Sequence, residues 1–528
     1  MPLRFRNLTL QLDEDETLLP AKLAARLHIP ESSFSNFQVV RRSIDARKKP
    51  KVLRVYTVEF SCPEEQQLLA SKKFSDSLET FRPKAIDQPS ACPQPLTVAV
   101  VGMGPCGLLA AYRLASAGAR VTLLDMGDPV EERMKHGKGF WGGGSLDPES
   151  NVQFGEGGAG TFSDGKLSTR LNHPRIRDIL RLFVECGADP DILINSKPHV
   201  GTDRLRKVLI RLRQRLQSLN VQIHYRSEMN DFNVYRENVS EIIVNQKETH
   251  ACDAVILAPG HSASRTFEML MRKKVYMEPK AFAMGVRVEH PATLINKIQF
   301  GHGKHPCLPA ADYALSYNDS CSGRGIYSFC MCPGGEVINA SSEKDGVVVN
   351  GMSYHKRGSD MSNSALVVSV REDDFLKDSP LDGLYFQRYW ERKAFSAAGS
   401  NHHVPAQGLM SFLGHQEQVL SARWRPGIAE VCLADLLPDF VVSGLRTALP
   451  FFDRKMRGFV TAEASLYGVE TRTSSPVRIV RNKQGESVSH PGLFPSGEGA
   501  GYAGGIMSAA LDGMRAADAV LSKHHLQE

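Results

Sequence analysis

The sequence predicts an α/β fold: a parallel sheet, with a small α+β domain before it and a second α+β domain inserted within it. Three features lead to this prediction. A strand, a glycine turn, a helix and another strand follow one another from Leu96 onward. A glycine-rich segment near the other end of the chain enters a helix at about Gly505. A proline-rich stretch, residues 87–95, separates the first feature from the chain before it.

The composition is that of a folded protein with more than one domain. The chain has 528 residues, of which 42% are hydrophobic and 23% are charged, so it is longer than a single core usually supports. Charges between Asp13 and Glu16 leave no room for an apolar signal segment, and Pro105 and Arg113 interrupt the most apolar stretch. The ten cysteines are scattered, which favours a reducing compartment. We therefore expect a cytoplasmic protein without a membrane span.

The glycine turn has the spacing of a dinucleotide-binding motif. In this motif the first glycine permits the tight turn, the second lets the backbone approach a pyrophosphate, and the third lets the helix pack on the strand. The second strand ends at an acidic residue, where a carboxylate would bind the ribose hydroxyls of an adenosine. The predicted contacts are Gly102, Gly104, Pro105, Gly107 and Asp125.

The C-terminal glycine segment indicates which dinucleotide binds. Glu498 follows a predicted strand and offers an acceptor for ribityl hydroxyls, and a helix start at Gly505 and Ile506 would face the flavin edge that gains negative charge on reduction. Gly497, which precedes the carboxylate, and Gly260, which follows the strand from Ala254, are also predicted to contact the cofactor. A nicotinamide dehydrogenase needs no such element. A glycine loop that only caps a helix is the alternative, and the pattern favours FAD.

These motifs divide the chain into four parts. Residues 1–86 form a small N-terminal α+β domain, and residues 96–279 begin a Rossmann-like FAD-binding domain. Residues 280–435 mix β-like runs with glycine-rich loops, and residues 436–528 return to the dinucleotide-binding pattern. We interpret the third part as an α+β substrate domain inserted into a discontinuous FAD-binding domain.

The sequence also resembles a known family over nearly its whole length. With the glycine motif and the strand that ends at Gly260, it is similar to flavoproteins of the glutathione-reductase-like FAD/NAD(P)-binding superfamily. Within that superfamily it resembles a family described as uncharacterised FAD-dependent dehydrogenases. The stretches that carry the finer resemblance are residues 151–167, 199–203, 327–335, 350–353, 470–478 and 497–512. The resemblance implies a two-domain FAD fold with an N-terminal appendage, and no particular substrate.

The same resemblance places residues 154–166 near the isoalloxazine ring. Backbone N–H groups of Gly157, Gly158 and Gly160 are then predicted to contact the flavin. Candidate catalytic side chains in this stretch are Ser163, Asp164 and Lys166, although Ser-Asp-Gly is equally an ordinary turn sequence.

Arg472 and its neighbour Glu470 are further candidates for binding or orienting a polar substrate. An ion pair internal to the fold explains both residues almost as well.

Two missing patterns narrow the chemistry. No second strand, GxGxxG turn and helix is present, so NAD(P)H is expected only as a transient electron donor. No CxxC or CxxxxC pair occurs in residues 140–166, which argues against disulfide reduction. Cys330 and Cys332 lack the spacing of a zinc site, so we interpret them as structural cysteines and predict no metal.

The predicted function is therefore an FAD-dependent oxidoreductase that transfers hydride between flavin N5 and an unidentified small molecule. The alternative is a flavoprotein that docks RNA through basic residues between Arg41 and Arg54. The N-terminal domain has neither an RNP-like aromatic motif nor a GxxG loop, so binding of nucleic acid is disfavoured. The sequence leaves the oligomeric state open.

Overall fold

The architecture is described from a computed structural model, which covers residues 2–82, 87–92, 95–415, 420 and 427–525. The predicted boundary at residue 86 and two residues of the predicted linker, 93 and 94, lie outside these ranges. Within them, no helix combines the length and the apolar character needed to cross a bilayer.

The N-terminal domain is an antiparallel sheet covered by helices. Its elements are β1 (Leu3–Gln11), α1 (Leu19–Leu27), β2 (Ser35–Lys48), β3 (Lys51–Ser61), α2 (Glu65–Ala70) and β4 (Leu78–Thr80). The strand order is β2-β3-β1-β4. Leu19, Leu23 and Leu27 recur every four residues, so they share one face of α1, and all three are buried against the sheet.

The next stretch supplies most of the dinucleotide-binding fold. Its elements are β5 (Thr97–Val101), α3 (Pro105–Ser116), β6 (Arg120–Leu124), α4 (Val130–Trp141), α5 (Arg175–Glu185), α6 (Thr202–Ser218), β7 (Gln222–His224), β8 (Met229–Tyr235), β9 (Asn238–Val244), β10 (Glu248–Ala251), β11 (Ala254–Leu257), α7 (Ser264–Arg272) and β12 (Met277–Pro279).

The remaining elements begin with a second large sheet and end with a long helix. They are β13 (Phe282–Pro291), α8 (Ala292–Phe300), β14 (Ser316–Asn318), β15 (Gly325–Cys332), β16 (Glu336–Asn339), β17 (Val349–Met352), β18 (Met361–Val370), α9 (Asp382–Ala397), β19 (Val404–Gly408), α10 (Leu409–Phe412), β20 (Ile428–Glu430), α11 (Asp439–Lys455), β21 (Ser465–Glu470), β22 (Val477–Ile479), β23 (Leu493–Pro495) and α12 (Ile506–His525).

A five-stranded sheet confirms the predicted α/β fold. Its order is β23-β11-β5-β6-β7, and every neighbouring pair runs parallel. β5 is apolar and buried along nearly its whole length, as expected of a strand with helices on both faces. The edge strand β23 comes from the C-terminal part of the chain, so the domain is discontinuous. β8, β9 and β10 form a separate antiparallel sheet just before β11, where the chain returns to the parallel sheet.

The inserted domain is built on a seven-stranded sheet of order β14-β15-β18-β13-β21-β19-β20. β21 pairs with both β13 and β19, and α11 buries its apolar face in the same core. The sheet therefore extends to Glu470, past residue 435 where the sequence predicted the domain to end. The reason is non-local: the pairing of β21 with β13 joins residues almost two hundred positions apart, which no local pattern reveals.

Candidate functional site

The three glycines of the turn after β5 have the three different environments that the motif predicts. Gly102 has φ +100°, and a Cβ atom there would overlap the carbonyl oxygen of Ala258. A Cβ atom on Gly107 would overlap the carbonyl oxygen of Gly102. A Cβ atom on Gly104 would meet nothing within 4 Å. The backbone is thus packed on both sides of Gly104 and open at Gly104 itself, where a pyrophosphate would approach.

The N-terminus of α3 completes this opening. The helix begins at Pro105, and no side chain caps it. Backbone N–H groups of its first turn, together with the positive end of the helix dipole, therefore favour an anion at this position. A dinucleotide pyrophosphate fits this arrangement.

Asp125 lies beside the turn, at the end of β6. Its Oδ2 accepts a hydrogen bond from the N–H of Met103 at 2.7 Å, and its Oδ1 accepts one from Gly127 at 2.8 Å. Burial raises the pKa of Asp125, and these backbone donors oppose the effect. Each oxygen retains a lone pair, so the carboxylate fits the predicted contact with ribose hydroxyls and also holds the turn in place.

Glu498 occupies the equivalent position after β23. Its carboxylate is half-buried and accepts no hydrogen bond from the residues that the structure describes. Burial raises its pKa to about 7, and the charge of Lys280 opposes this. Nothing lies within 4 Å of a Cβ built on Gly504 or Gly505, just before α12. A free acceptor and an open helix N-terminus thus occur together, as a flavin requires.

Two further predicted glycines adjoin this opening. A Cβ atom on Gly260 would meet nothing within 4 Å, and the backbone of Gly260 lies against Gly499. Gly497 packs on Cys106, and its N–H donates to Asp512 at 2.8 Å. The turns after β11 and β23 therefore meet at the start of α3.

The segment from residue 151 to residue 160 lies over the glycine turn. Arg133 of α4 is fully buried beneath it and donates to the carbonyl oxygens of Asn151 and Gly158 at 2.8 and 3.2 Å. Burial lowers the pKa of Arg133 to about 10, so it stays charged at neutral pH. Sequence reasoning missed Arg133, because an arginine within a helix carries no distinctive pattern.

The structure corrects one detail of this segment. The N–H of Gly157 donates to the carbonyl of Met103 at 2.8 Å, and that of Gly158 donates to Gly155 at 2.9 Å, so neither is free for a flavin. The reason is that the segment packs on the glycine turn, which accepts from Gly157, and folds tightly enough to satisfy Gly158 from within. A Cβ on Gly160 would lie 3.2 Å from Ile506, so the segment also reaches α12.

Two of the candidate catalytic residues have structural roles. Ser163 donates to the carbonyl of Gly160 at 2.7 Å and accepts from the N–H of Gly165 at 3.0 Å, which is turn chemistry. Asp164 is buried and forms an ion pair with Arg357, with distances of 2.9 and 2.5 Å. Burial opposes its ionisation, but the charge of Arg357 holds the pKa of Asp164 below its usual value.

The other two candidates also have partners within the fold. Lys166 donates to the carbonyl of Met331, which links the segment to the inserted domain. Arg472 is paired with Glu391 at 2.9 and 2.6 Å, not with Glu470. The alternative interpretation, in which Arg472 forms an ion pair internal to the fold, thus has a definite partner. Catalytic roles for Ser163, Asp164, Lys166 and Arg472 stay predictions.

Glu470 pairs instead with Arg287, a fully buried residue of β13, at 2.8 Å. Arg287 also donates to the carbonyl of Cys330 at 3.3 Å. Sequence reasoning missed this cluster, although the Cys330-x-Cys332 pattern was the available signal.

Two groups of side chains have the composition of metal ligands. Ligand atoms of Asp13, His305 and Cys307 lie within 4.8 Å of one another at the surface, and those of Asp128, His136 and Asp147 form a second group. In the second group, Arg226 is paired with both aspartates. The prediction of no metal site stays a prediction.

The basic segment of the N-terminal domain is largely engaged within the chain. Arg42 donates to Asn195 at 3.0 Å and is paired with Glu16 at 3.1 Å. Arg47 is paired with Asp45 at 2.6 Å, and Lys49 donates to the carbonyl of Ile298 at 2.5 Å. The contacts of Arg42 with Asn195 and of Lys49 with Ile298 dock the domain on its neighbours. They occupy side chains that the RNA-docking alternative requires.

Three family models match three successive parts of the chain, which correspond to the N-terminal domain, the first part of the FAD-binding domain and the inserted domain. Residues 96–274 match the family model of pyridine nucleotide-disulphide oxidoreductases, and residues 281–473 match that of the FAD-dependent protein, C-terminal domain-like. Residues 3–61 match a domain of unknown function, DUF8436. A protein of Clostridium beijerinckii titled "Uncharacterized protein" is 42% identical over 532 residues, which cover 100% of both chains. The chain belongs to this family of FAD-dependent proteins. The predicted family is thus confirmed, and FAD is its cofactor.

More distant similarities are local or weak. Thiamine thiazole synthase of Thermotoga maritima is 51% identical over 51 residues, 10% of this chain and 18% of that one. Among solved structures, the chain is similar to glycine oxidase from Bacillus cereus ATCC 14579, at 11% identity and a TM-score of 0.36, over 82% of this chain and 97% of that one. A glycerol-3-phosphate dehydrogenase from Bacillus halodurans complexed with FAD has 12% identity and a TM-score of 0.35, over 82% and 65%.

Proposed function

We propose that this member of the family is a dehydrogenase or reductase, in which a small molecule held by the inserted domain exchanges hydride with N5 of the flavin. The observation that supports it most is the carboxylate of Glu498, which is half-buried and without a hydrogen-bond partner among the described residues. A carboxylate without a partner in the protein is available to accept hydrogen bonds from a ligand. The ribityl hydroxyls of FAD are donors of the required kind.

Each part of the site then has a role in holding the cofactor. The open backbone at Gly104 and the N-terminus of α3 bind the pyrophosphate, and Asp125 accepts hydrogen bonds from the ribose. The N-terminus of α12 supplies positive potential toward the pyrimidine edge of the flavin. When bound, FAD supplies two-electron chemistry, and the protein supplies orientation and electrostatics.

The substrate side is formed where the inserted domain meets residues 154–166. Lys166 brings positive charge to this junction, where it donates to the carbonyl of Met331, whereas the charge of Arg287 is balanced by Glu470. Such charge favours an electron-rich or anionic substrate group. NAD(P)H is proposed only as a transient donor, since the sequence contains a single glycine motif of this kind.

Cofactor analysis and rapid mixing test the proposal. Heating should release FAD in amounts stoichiometric with the protein, and chromatography identifies it. Anaerobic mixing with NADPH or NADH should bleach the flavin absorbance, with a slower rate when the donor carries deuterium at C4. A protein that takes up no FAD even when it is supplied would refute the proposal. Bleaching without an isotope effect would refute rate-limiting hydride transfer.

Glu498→Ala tests the supporting observation directly. Loss of a charge-assisted hydrogen bond costs about 1.5–3 kcal/mol, or roughly ten- to 150-fold in FAD affinity. Because burial raises the pKa of Glu498 and no hydrogen bond in the described fold depends on its side chain, the apoprotein should melt at or above the wild-type temperature at pH 8. Glu463→Ala, which removes an exposed carboxylate, is the matched control and should leave FAD affinity unchanged.

A further inference from the structure

We propose that Asp13, His305 and Cys307 form a zinc-binding site that ties the N-terminal domain to the inserted domain. Ligand atoms of the three side chains lie within 4.8 Å of one another. Asp13 follows β1 of the N-terminal domain, whereas His305 and Cys307 follow α8 of the inserted domain. A site shared by two domains leaves no local spacing in the sequence, so the sequence analysis, which predicted no metal, could not detect it. The proposal is independent of the flavin site.

The three ligand types select the metal. Zn²⁺ is bound by cysteine thiolates, histidine nitrogens and carboxylate oxygens, almost always four in a tetrahedron. Ca²⁺ and Mg²⁺ prefer oxygen ligands, so a thiolate beside an imidazole does not suit them. A zinc ion with bonds of about 2.0–2.3 Å separates its ligand atoms by roughly 3.3–3.6 Å.

The observed distances are close to this requirement. Nε2 of His305 and Oδ1 of Asp13 are 3.7 Å apart. The side chains of Asp13 and Cys307 are exposed, so a modest rotation of each brings the three ligand atoms to the separations that zinc requires. Because the site lies at the surface, water is the fourth ligand.

The backbone on both sides of the site is anchored in one hydrophobic core. Leu12, which precedes Asp13, is 8% exposed and belongs to the core of the inserted domain. Leu308, which follows Cys307, packs against the same core. The N–H of Leu308 also donates to the carbonyl of His305 at 3.1 Å, which closes a turn that contains two of the ligands. The protein therefore brings the three ligands together by packing alone.

Asp13 differs from the acidic residues that follow it. Glu14 and Glu16 each form an ion pair with a basic residue of their own domain. Within the part of the chain that the structure describes, Asp13 pairs with no lysine or arginine, and its carboxylate faces His305 instead. The charge of Asp13 is therefore available to a cation that binds between the two domains.

The imidazole of His305 has one nitrogen that faces the site. Its Nδ1 accepts a hydrogen bond from the N–H of Cys307 at 3.2 Å, and its Nε2 faces Asp13. Zinc bound at Nε2 requires the ring proton on Nδ1, so this long hydrogen bond is given up when the metal binds. The thiol of Cys307 releases its proton at the same time, because the thiolate is the ligand. The metal bonds to nitrogen, sulfur and oxygen replace the hydrogen bond that is lost.

Metal titration of the FAD-loaded protein, first stripped with EDTA, tests the proposal. Zn²⁺ is added in competition with a chromophoric chelator. Co²⁺ is added separately, and a difference spectrum against the flavin absorbance reveals a thiolate ligand by its charge-transfer band. We expect one ion per chain and a thiolate band that Cys307→Ser removes.

Each ligand is tested by one substitution. Loss of an outer-shell partner already costs roughly 10–100-fold in metal affinity, so Cys307→Ser, His305→Gln and Asp13→Asn should each weaken Zn²⁺ binding at least about tenfold. Cys321→Ser, which removes another exposed thiol of the inserted domain, is the matched control and should bind Zn²⁺ as the wild type does.

The wild-type protein provides a second measurement that depends on no variant. Zn²⁺ should suppress alkylation of Cys307 by iodoacetamide and leave that of Cys321 unchanged, because the metal occupies only the first thiolate. Zn²⁺ should also raise the melting temperature of the wild type and not that of Cys307→Ser, since a ligand that binds the folded state stabilises it.

Three results would overturn the proposal. The first is a wild-type protein that takes up no Zn²⁺ from the chelator. The second is equal Zn²⁺ affinity in Cys307→Ser and Cys321→Ser, which would place the metal elsewhere. The third is wild-type affinity in Asp13→Asn, which would show that the metal does not join the two domains.

Discussion

Gly158 lies directly against Gly104: a Cβ atom on Gly158 would come within 3.2 Å of the Cα of Gly104. The two residues belong to different segments, and Arg133 holds one of them in place from below. Because of this contact, Gly158 lines one side of the opening at Gly104. The opening is therefore shaped by both segments, and each glycine can be tested for what it contributes.

Gly104→Ala should lower FAD affinity, whereas Gly107→Ala should lower the stability of the apoprotein. At Gly104 an added methyl group meets no protein atom, so the apoprotein should melt normally while FAD affinity falls. At Gly107 the methyl group overlaps the carbonyl oxygen of Gly102, so the melting temperature should fall even without FAD. Differential scanning fluorimetry and FAD titration measure the two effects.

Gly139→Ala is the control for both variants. Gly139 lies within α4, and a Cβ there also meets nothing within 4 Å. Alanine in a helix should stabilise the protein by about 0.5–1 kcal/mol relative to glycine, with no change in FAD affinity. Equal FAD affinities for Gly104→Ala and Gly139→Ala would exclude Gly104 from the pyrophosphate site.

Asp125→Ala should differ from Glu498→Ala in the apoprotein. Asp125 accepts hydrogen bonds from Met103 and Gly127, so its removal leaves two backbone donors without an acceptor. Each such loss costs about 1–3 kcal/mol, and the apoprotein should melt at a lower temperature in addition to binding FAD more weakly. Thermal denaturation of the two apoproteins makes the comparison. A normal melting temperature for Asp125→Ala would show that these contacts do not support the turn.

The sequence predicted the parallel sheet and its glycine turn because these depend on local patterns. The spacing of Gly102, Gly104 and Gly107 is set within six residues, and the apolar run of β5 is continuous. The same holds for Glu498, which lies between β23 and the start of α12 at Ile506.

The ion pairs of the site could not be predicted, because they join distant parts of the chain. In the sequence, Arg472 stands close to Glu470 and was considered together with it. In the structure, the partner of Arg472 is Glu391 in α9. Glu470 forms its ion pair with Arg287 because β21 pairs with β13. Arg472 lies two residues beyond the end of β21, so strand geometry does not direct it to the partner of Glu470, and only the long-range packing decides which partner each one finds.

The buried carboxyl of Glu289 predicts a pH dependence of stability. Burial raises its pKa to about 7 in the folded protein, from an ordinary value of 4.5, although Tyr467 donates to it at 3.2 Å. Between these values the folded state binds more protons than the unfolded state, so raising the pH through this window lowers the free energy of unfolding. Above pH 7 the full loss is on the order of 3 kcal/mol.

Glu289→Gln removes this ionisation without changing the shape of the side chain. Its melting temperature relative to wild type should therefore be higher at pH 8 than at pH 5. Thermal denaturation at the two pH values is the measurement. Tyr467→Phe, which removes the hydroxyl that donates to Glu289, should leave the ionisable carboxyl and enlarge the loss at pH 8. A difference between Glu289→Gln and wild type that does not vary with pH would contradict a raised pKa.

The ion pair of Asp164 with Arg357 predicts a large loss of stability when one partner is removed. Asp164 is 1% exposed and Arg357 is 11% exposed, so Arg357→Ala leaves a buried charge without its counter-ion. Breaking a buried pair in this way costs about 3–5 kcal/mol. The pair of Arg392 with Asp345, which is more than half exposed on both sides, is the matched control, and Arg392→Ala should cost no more than about 1 kcal/mol. Urea denaturation of both variants measures the difference.

The same ion pair predicts a pH dependence, because the pKa of Asp164 lies below its usual value in the folded state. The stabilisation is present above the unfolded pKa of Asp164 and is lost as the pH falls through the folded pKa. The free energies of unfolding of the two variants should therefore converge in acid. Adding Asp164→Asn to Arg357→Ala should recover part of the loss. If Arg357→Ala instead keeps its stability and loses flavin reduction, Asp164 belongs to the catalytic machinery, as the sequence first predicted.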